Sequence, residues 1–363
     1  MKFRASKQEL SKHIQIAQRA VSSRTTMQIL EGLLLIAKDN TLTIIGTDTD
    51  ITIISTMACI VEEEGEVVVN SRLFGDIIRK LEDSFVDITL NDLNLNIVCK
   101  NSEFNINCQS AKEFPRNLNF EDENSFTMKE EDLKEAIRKT TFAVSIEETR
   151  KIFTGVFMDC KEDISFVALD GFRMARERVA ISTKPSESII PANHLNELQK
   201  ILGDGDVKIT IGERKILFET NNTKIYSTLY SGEYFNYKDL IRKTHTTEVK
   251  INREMFRTSI ERASLLAKEE RSNLIKLNIA DNRVKISSNT EVGNVEEVLE
   301  CEINGPGLDI AFNSKYLLDG IKIMDEDEIV LNFTDSINPL IINEKSYTYL
   351  VLPVRLANWQ RLN

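Results

Sequence analysis

Asp48 and Asp50 stand at i and i+2 after the strand-like run Thr41-Leu-Thr-Ile-Ile-Gly-Thr47. On a strand that spacing puts two carboxylates on one face, where they could hold a divalent ion. The same residues serve a turn equally well, because an Asp side chain bonds its own backbone two residues on, and that reading is preferred. No GxSxG, P-loop, GxGxxG or HExxH pattern occurs. His13, His194 and His245 lie far apart and at no metal-ligand spacing from a cysteine. Cys59, Cys99, Cys108, Cys160 and Cys301 are odd in number, scattered and without a CxxC pair, as expected of reduced core or strand residues. These residues predict no metal, no cofactor, no disulfide framework and no enzyme.

The elements that position any site come from an internal repeat. Phe3, Leu10 and Ile14 recur as Phe126, Leu133 and Ile137 and again as Val249, Phe256 and Ile260, at intervals of 123 residues. Each set reads as a short strand entering an amphipathic helix, with apolar residues four apart on one face. Period-two runs follow, then a second helix beginning at Asn70-Ser-Arg-Leu-Phe74, Pro191-Ala-Asn-His-Leu195 and Asn313-Ser-Lys-Tyr-Leu317. Paired strands are expected to close each unit: Val86–Leu90 with Leu95–Cys99 and Phe104–Cys108, then Val207–Ile211 with Lys215–Glu219 and Lys224–Tyr230, then Ile329–Phe333 with Leu340–Ile342 and Tyr347–Pro353. The expected fold class is α+β, three tandem copies of a domain with two helices and an antiparallel sheet, spanning 1–120, 121–245 and 246–363. A period this long exceeds the ~20–50 residues of a solenoid, so whole domains repeat, and their constant spacing suggests an arc or ring.

Charge is distributed unevenly. The chain has 363 residues with 57 acidic and 46 basic side chains, a formal charge of -11. Six helix windows, 7–20, 71–82, 129–143, 192–202, 252–266 and 314–324, hold 16 basic and 11 acidic residues, which leaves -16 for everything else. Such a surface cannot gather DNA over its whole area by counterion release, so any nucleic-acid contact must be a localised basic face. With the helices on one side, the split becomes a mildly basic inner wall and an acidic outer one; solvated helix faces and acidic loops are the bland alternative. No run approaches the ~18 apolar residues of a membrane span, and Met1-Lys-Phe-Arg carries charge where a signal peptide needs apolar residues. A cytoplasmic protein without a membrane partner is expected.

The repeat and its wording resemble one family, the bacterial sliding clamp, the β subunit of DNA polymerase III. The resemblance rests on Met1-Lys-Phe, Ile29-Leu-Glu-Gly-Leu-Leu-Leu, Gly46-Thr-Asp48, Leu169-Asp-Gly-Phe-Arg173-Met-Ala, Phe312-Asn-Ser-Lys-Tyr316-Leu-Leu-Asp319 and Leu352-Pro-Val-Arg-Leu356, in that order. It implies the DNA clamp fold, a head-to-tail homodimeric ring around double-stranded DNA, and a processivity role in DNA replication. The junction it implies joins Phe104 and Ile106 of one chain to Leu265 and Leu266 of the other. Its DNA contacts would be Arg24 and Arg72 by family match, with Lys12, Arg138, Lys139, Lys200 and Arg257 from helix position. The loop Glu147-Glu-Thr-Arg-Lys151-Ile adds Lys151, with Lys151 and Ile152 where some relatives have tyrosines.

The resemblance also implies a cleft that takes a short peptide bearing glutamine and bulky apolar side chains. Its partners would be the DNA polymerase III catalytic subunit, the clamp-loader ATPase and other proteins with clamp-binding peptides. The matching cleft residues are Arg150, Phe153, Leu169, Gly171, Phe172, Arg173, Met174, Leu240, Asn313, Tyr316, Ile337, Leu350, Leu352, Pro353, Val354, Arg355 and Leu356. Phe172 replaces a common histidine, Phe235-Asn236 a common Pro-Asp pair, and Asp239 a frequent basic residue. Beyond Leu356 the residues Ala357-Asn-Trp-Gln-Arg-Leu-Asn363 either fold back over the cleft or fray, and the sequence leaves both open. A peptide-binding scaffold without a DNA role is the alternative to a clamp.

Overall fold

The computed structural model describes residues 1–22, 25–116, 120, 124–241, 244–268 and 273–355. In the first repeat β1 (Lys2–Ser6) runs into α1 (Lys7–Gln18). Then β2 (Gly32–Lys38), β3 (Thr41–Thr47), β4 (Ile51–Ala58), β5 (Ile60–Glu63) and β6 (Gly65–Asn70) lead to α2 (Ser71–Lys80), and β7 (Phe85–Asn91), β8 (Asn94–Cys99) and β9 (Ser102–Asn107) follow. The second repeat has β10 (Asn124–Lys129), α3 (Glu130–Thr140), β11 (Gly155–Cys160), β12 (Ile164–Leu169), β13 (Arg173–Val179), β14 (Glu187–Pro191), α4 (Ala192–Gln199), β15 (Asp206–Ile211), β16 (Lys215–Glu219) and β17 (Thr223–Thr228). The third has β18 (Thr247–Asn252), α5 (Arg253–Ala267), β19 (Leu274–Ala280), β20 (Arg283–Thr290), β21 (Gly293–Glu300), β22 (Glu302–Asn304), β23 (Leu308–Asn313), α6 (Ser314–Ile321), β24 (Glu328–Phe333), β25 (Leu340–Glu344) and β26 (Tyr347–Val351).

The repeated apolar residues do the packing that their period implies. Leu10, Ile14, Leu133, Ile137, Phe256 and Ile260 are all 0 % exposed, one face on each first helix. Phe3 and Val249 are also buried, whereas Phe126 is only half-buried and Met128, two residues on along the same strand, is buried. Asn70, Asn252 and Asn313 start α2, α5 and α6, each side chain accepting from a backbone N–H of the first turn. Such a cap contributes about 1 kcal/mol. Asp39-Asn40 and Asp281-Asn282 adopt positive φ at the hairpins joining β2 to β3 and β19 to β20, the backbone that a two-residue turn demands.

Two compact units result, Met1–Lys134 with Asn193–Tyr230, and Glu135–Ala192 with Ser231–Asn363. The first contains an eight-stranded sheet, β10-β15-β16-β17-β4-β3-β2-β6, and a five-stranded sheet, β5-β1-β7-β8-β9. The second contains a nine-stranded sheet, β14-β11-β12-β13-β26-β25-β24-β18-β22, and a four-stranded sheet, β21-β20-β19-β23. The strand pairings expected within each repeat are present, and the last strand of the second and of the third repeat also extends the sheet of the repeat before it. β17 of the second repeat pairs antiparallel with β4 of the first, and β26 of the third with β13 of the second. An outer strand has a row of unpaired N–H and C=O groups, and the neighbouring repeat's outer strand satisfies them.

Both seams have the same register. Pairing carries Phe3 to Ile88, Ile97 and Phe104 in turn, Phe126 to Ile209, Phe218 and Ile225, and Val249 to Leu331, Ile342 and Tyr349. Across the seams Ile225 faces Ile53 and Tyr349 faces Ala175, equivalent places on β4 and β13. Buried polar groups at the first seam are satisfied by a pair of histidines: His13 Nδ1 lies 2.7 Å from Ser55 Oγ, and His194 Nδ1 lies 2.7 Å from Ser227 Oγ. At the second seam the buried Glu177 accepts from Ser346 Oγ at 2.5 Å and lies 3.7 Å from Lys139 Nζ.

Candidate partner-binding cleft and basic helix face

In the second unit a cleft of about 560 Å³ opens where the β12–β13 turn meets the end of β26. Ser145, Glu147, Thr149, Arg150, Phe153, Leu169, Asp170, Gly171, Arg173, Met174, Phe235, Leu240, Leu350 and Leu352 line it. The turn is fixed by Asp170, whose Oδ1 accepts from the N–H groups of Phe172 and Arg173 at 2.9 and 3.0 Å, while Gly171 takes φ +90°. That left-handed backbone favours glycine. The chain past β26 continues the wall: Leu352 N donates to Phe172 O and Val354 N to Ala311 O, both at 2.8 Å. A 3-10 helix, Glu148–Thr154, forms the opposite side, with Arg150 at φ -124°, ψ 75° where its two turns kink.

Arg173 is the cleft's buried floor. Its guanidinium donates to Asp170 Oδ2 at 2.9 Å, Asp319 Oδ2 at 2.6 Å and Phe142 O at 2.9 Å, and it lies 4.8 Å from the Tyr316 ring centroid. This side chain is used up within the fold, so its part is to position the turn and α6. Phe172 stacks on Tyr316 at 5.8 Å and stays 56 % exposed, an apolar platform at the rim. Phe153 packs edge-on against Tyr234, which stacks on Phe157 at 4.7 Å. Burial pushes the Tyr234 hydroxyl far above the ordinary tyrosine pKa, keeping it neutral.

Of the cleft residues named from sequence, Arg150, Phe153, Leu169, Gly171, Arg173, Met174, Leu240, Leu350 and Leu352 line this cavity. Phe172 and Tyr316 form its rim, Asn313 caps α6, and Pro353, Val354 and Arg355 lie on the extension of β26. Ile337 is 69 % exposed on the loop between β24 and β25 and does not line the cavity. Leu356 and the residues 357–363 lie outside the described residues. Ser145, Glu147, Thr149, Asp170 and Phe235 also line the cavity: Asp170 belongs to the Leu169–Arg173 motif, Phe235 to the Phe235-Asn236 departure, and Glu147 and Thr149 to the loop expected to touch DNA, whereas nothing in the sequence points to Ser145.

The basic candidates separate by how free they are. Lys12 and Lys200 line a shallow groove along α1 and the end of α4, together with Lys7 and Arg19. Arg72 is exposed at the start of α2. Lys200 pairs with Glu197 at 2.6 Å, and Arg257 with Glu254 and Glu261 at 2.5 and 2.7 Å, both at the surface. Arg138 is held by Glu135 at 2.5 Å and Asp325 at 3.3 Å. Lys139 is corrected: its side chain is 9 % exposed, 3.3 Å from Glu135 and over the Tyr347 ring at 5.6 Å, so its ammonium neutralises the fold's interior. Lys151 sits in the Glu148–Thr154 turn, and Arg24 lies outside the described residues. Asp48 Oδ1 accepts from the N–H groups of Asp50 and Ile51 at 2.9 and 2.8 Å, the turn role favoured from sequence.

At the sheet ends, Phe104 is 39 % exposed and Ile106 8 % exposed on β9, the outer strand of the five-stranded sheet. Leu265 on α5 is 66 % exposed and Leu266 half-buried.

Three repeats of two helices on antiparallel sheet, sharing strands across repeat seams and carrying an apolar cleft, define a DNA clamp. The chain belongs to the DNA polymerase III β subunit family, the sliding clamps: the family's N-terminal, central and C-terminal domains match residues 1–119, 127–236 and 238–355. The beta sliding clamp of Bacillus subtilis (strain 168) is 35 % identical over 376 aligned positions, covering 98 % of this chain and 100 % of that protein. That of Staphylococcus aureus (strain Mu50) is 33 % identical over 356, covering 93 % and 94 %. The crystal structure of the DNA polymerase sliding clamp from Bacillus subtilis superposes with a TM-score of 0.93 at 35 % identity, covering 98 % of this chain and 99 % of that one. The chain is thus a DNA sliding clamp for replication, a non-catalytic processivity factor with DNA and a polymerase as partners. No helix among the described residues is long and apolar enough to cross a membrane.

Proposed function

We propose that two copies of this chain close head to tail into a ring around duplex DNA, each copy supplying three clamp domains, 1–120, 121–245 and 246–363. The supporting observation is the repeated seam. β4 pairs with β17 and β13 with β26 in one register, while their equivalents, β21 and β9, are the outer strands of their sheets. Ser288 places Val295 as Gly46 places Ile53 and Ala168 places Ala175, so the third seam sets Phe104 of one copy opposite Val295 of the other. Leu265 and Leu266 add apolar surface beside it, and twofold closure gives two equal junctions.

Lys7, Lys12, Arg19, Arg72 and Lys200 then offer the duplex a diffuse, water-separated positive surface. Weak phosphate contacts permit sliding, whereas base-specific ones would halt it. The cleft docks short peptides of the replicative polymerase's catalytic subunit, the clamp-loading ATPase and other clients in the cytoplasm, each held by a few apolar anchors and therefore exchangeable.

Loading onto nicked circular DNA by the loading ATPase, followed by linearisation, tests the reading. A ring remains on the circle and is lost after cutting. Retention on both forms, or loading on neither, overturns it.

A further inference from the structure

The repeated register also fixes which side chains meet on the outer face of the third junction. Ile54 on β4, Arg176 on β13 and Glu296 on β21 are equivalent, facing Ile45, Val167 and Ser287 on the preceding strand. Lys224 on β17, Thr348 on β26 and Glu103 on β9 are likewise equivalent, facing Glu219, Asn343 and Val98. In the first seam Lys224 lies opposite Ile54, and in the second Thr348 lies opposite Arg176. Both internal seams therefore set one cation against an uncharged residue.

We propose that Glu103 of one copy opposes Glu296 of the second, and that this like-charge pair makes the junction a built-in weak point at which the ring opens. The inference rests on the ring reading and deepens it. Both residues are exposed in the single chain, as a surface awaiting a partner strand must be. Glu103 Oε1 accepts from Asn96 Nδ2 at 2.7 Å, a neutral donor that orients the carboxylate without cancelling it. Glu296 pairs with Lys285 at 2.6 Å, so three charges meet there and one negative charge remains unbalanced. The flanking outer-face pairs in this register, Asn105 with Asn294 and Asn101 with Val298, bring no charge to offset it.

Residues directly opposite in an antiparallel pair have Cβ atoms ~5 Å apart, and like charges there oppose pairing. Removing one carboxylate is worth about 1.5- to 5-fold per junction, on the order of 2- to 25-fold for a ring with two. Internal seams are held shut by the chain itself and carry no such pair; the junction between copies must part for DNA to enter. A like-charge pair there lowers the cost of parting while Phe104 and Leu265 preserve the apolar contact.

The test compares dimer dissociation constants by sedimentation equilibrium for the intact chain, Glu103→Gln, Glu103→Lys and Glu162→Gln, the last removing an equal charge from the distant β11–β12 turn. Glu103→Gln should tighten the dimer by the stated factor, Glu103→Lys more, and Glu162→Gln by less than either. The gain from Glu103→Gln should shrink at about 1 M salt, where the screening length falls to about 3 Å. In parallel, the Phe104→Cys/Val295→Cys double variant should form a disulfide between copies, which reports the register alone. Cross-linking with no tightening beyond the Glu162→Gln control overturns the like-charge inference and leaves the ring intact. Absence of the cross-link overturns the register, and with it the reading on which the inference stands.

Discussion

Arg173 on β13 donates to Asp319 on α6 at 2.6 Å and so ties the cleft's turn to the third repeat's second helix. The same guanidinium bonds Asp170 and the Phe142 carbonyl, so one buried cation holds the cleft's turn, α6 and the end of the α3 segment together. Breaking a buried charge pair by removing one partner costs about 3–5 kcal/mol, because the remaining carboxylate is stranded. Arg173→Ala is therefore expected to lower the urea midpoint and abolish client-peptide binding. Arg173→Lys should recover part of the stability without restoring peptide affinity, since a single ammonium cannot serve three acceptors in a plane. Peptide titration of both variants checks it.

A second prediction concerns Gly320 on α6. A Cβ placed there would lie 2.0 Å from Cε1 of Tyr349, whose ring is fully buried and whose hydroxyl donates to Tyr316 O at 2.6 Å. Gly320→Ala should destabilise by about 1–3 kcal/mol through overpacking despite the better helix propensity of alanine. Combining it with Tyr349→Leu should cost less than the two single changes together, as a double-mutant cycle in denaturant would record.

The seam histidine gives a pH prediction. Burial is the main cause that lowers the His13 pKa below its ordinary value of 6.5, against an opposing pull from Glu9. The folded chain therefore binds fewer protons at this site than the unfolded chain, and stability rises with pH in that window. On acidification from pH 7 the intact protein should begin losing stability near pH 6.5 and continue until the folded-state pKa is passed. His13→Gln should flatten that part of the curve while leaving the carboxylate-dependent loss at lower pH, as urea midpoints at stepped pH would show.

Cleft and junction should fail independently. Leu352→Ala or Tyr316→Ala is expected to weaken a client peptide by about tenfold or more while the dimer persists. Leu265→Lys with Leu266→Lys should produce monomers that still bind peptide, because in the single chain Leu265 is exposed and Leu266 half-buried, outside the residues that line the cleft. Paired light-scattering and peptide-binding measurements distinguish them, and a variant that loses both properties would deny the separation.

The sequence by itself determined the repeat, the six helices found among the described residues and the apolar residues that pack them, because strand and helix periods are local and Leu10, Leu133 and Phe256 obey them wherever their repeat sits. It also marked the Asp170-Gly171 turn and the Leu350–Leu352 strand end as belonging to one site, though only through resemblance to a family. Tertiary structure alone decided that β17 and β26 complete the sheets of preceding repeats, since any strand with a free edge and the right alternation is an admissible neighbour. Lys139 shows the same limit. Its neighbours in sequence place it on a charged helix end, but β13 and β26 bring Glu177 and Tyr347 against it and turn a surface cation into a buried one. Partners that come from 38 and 208 residues away are fixed by the register of pairing strands, which no local spacing encodes.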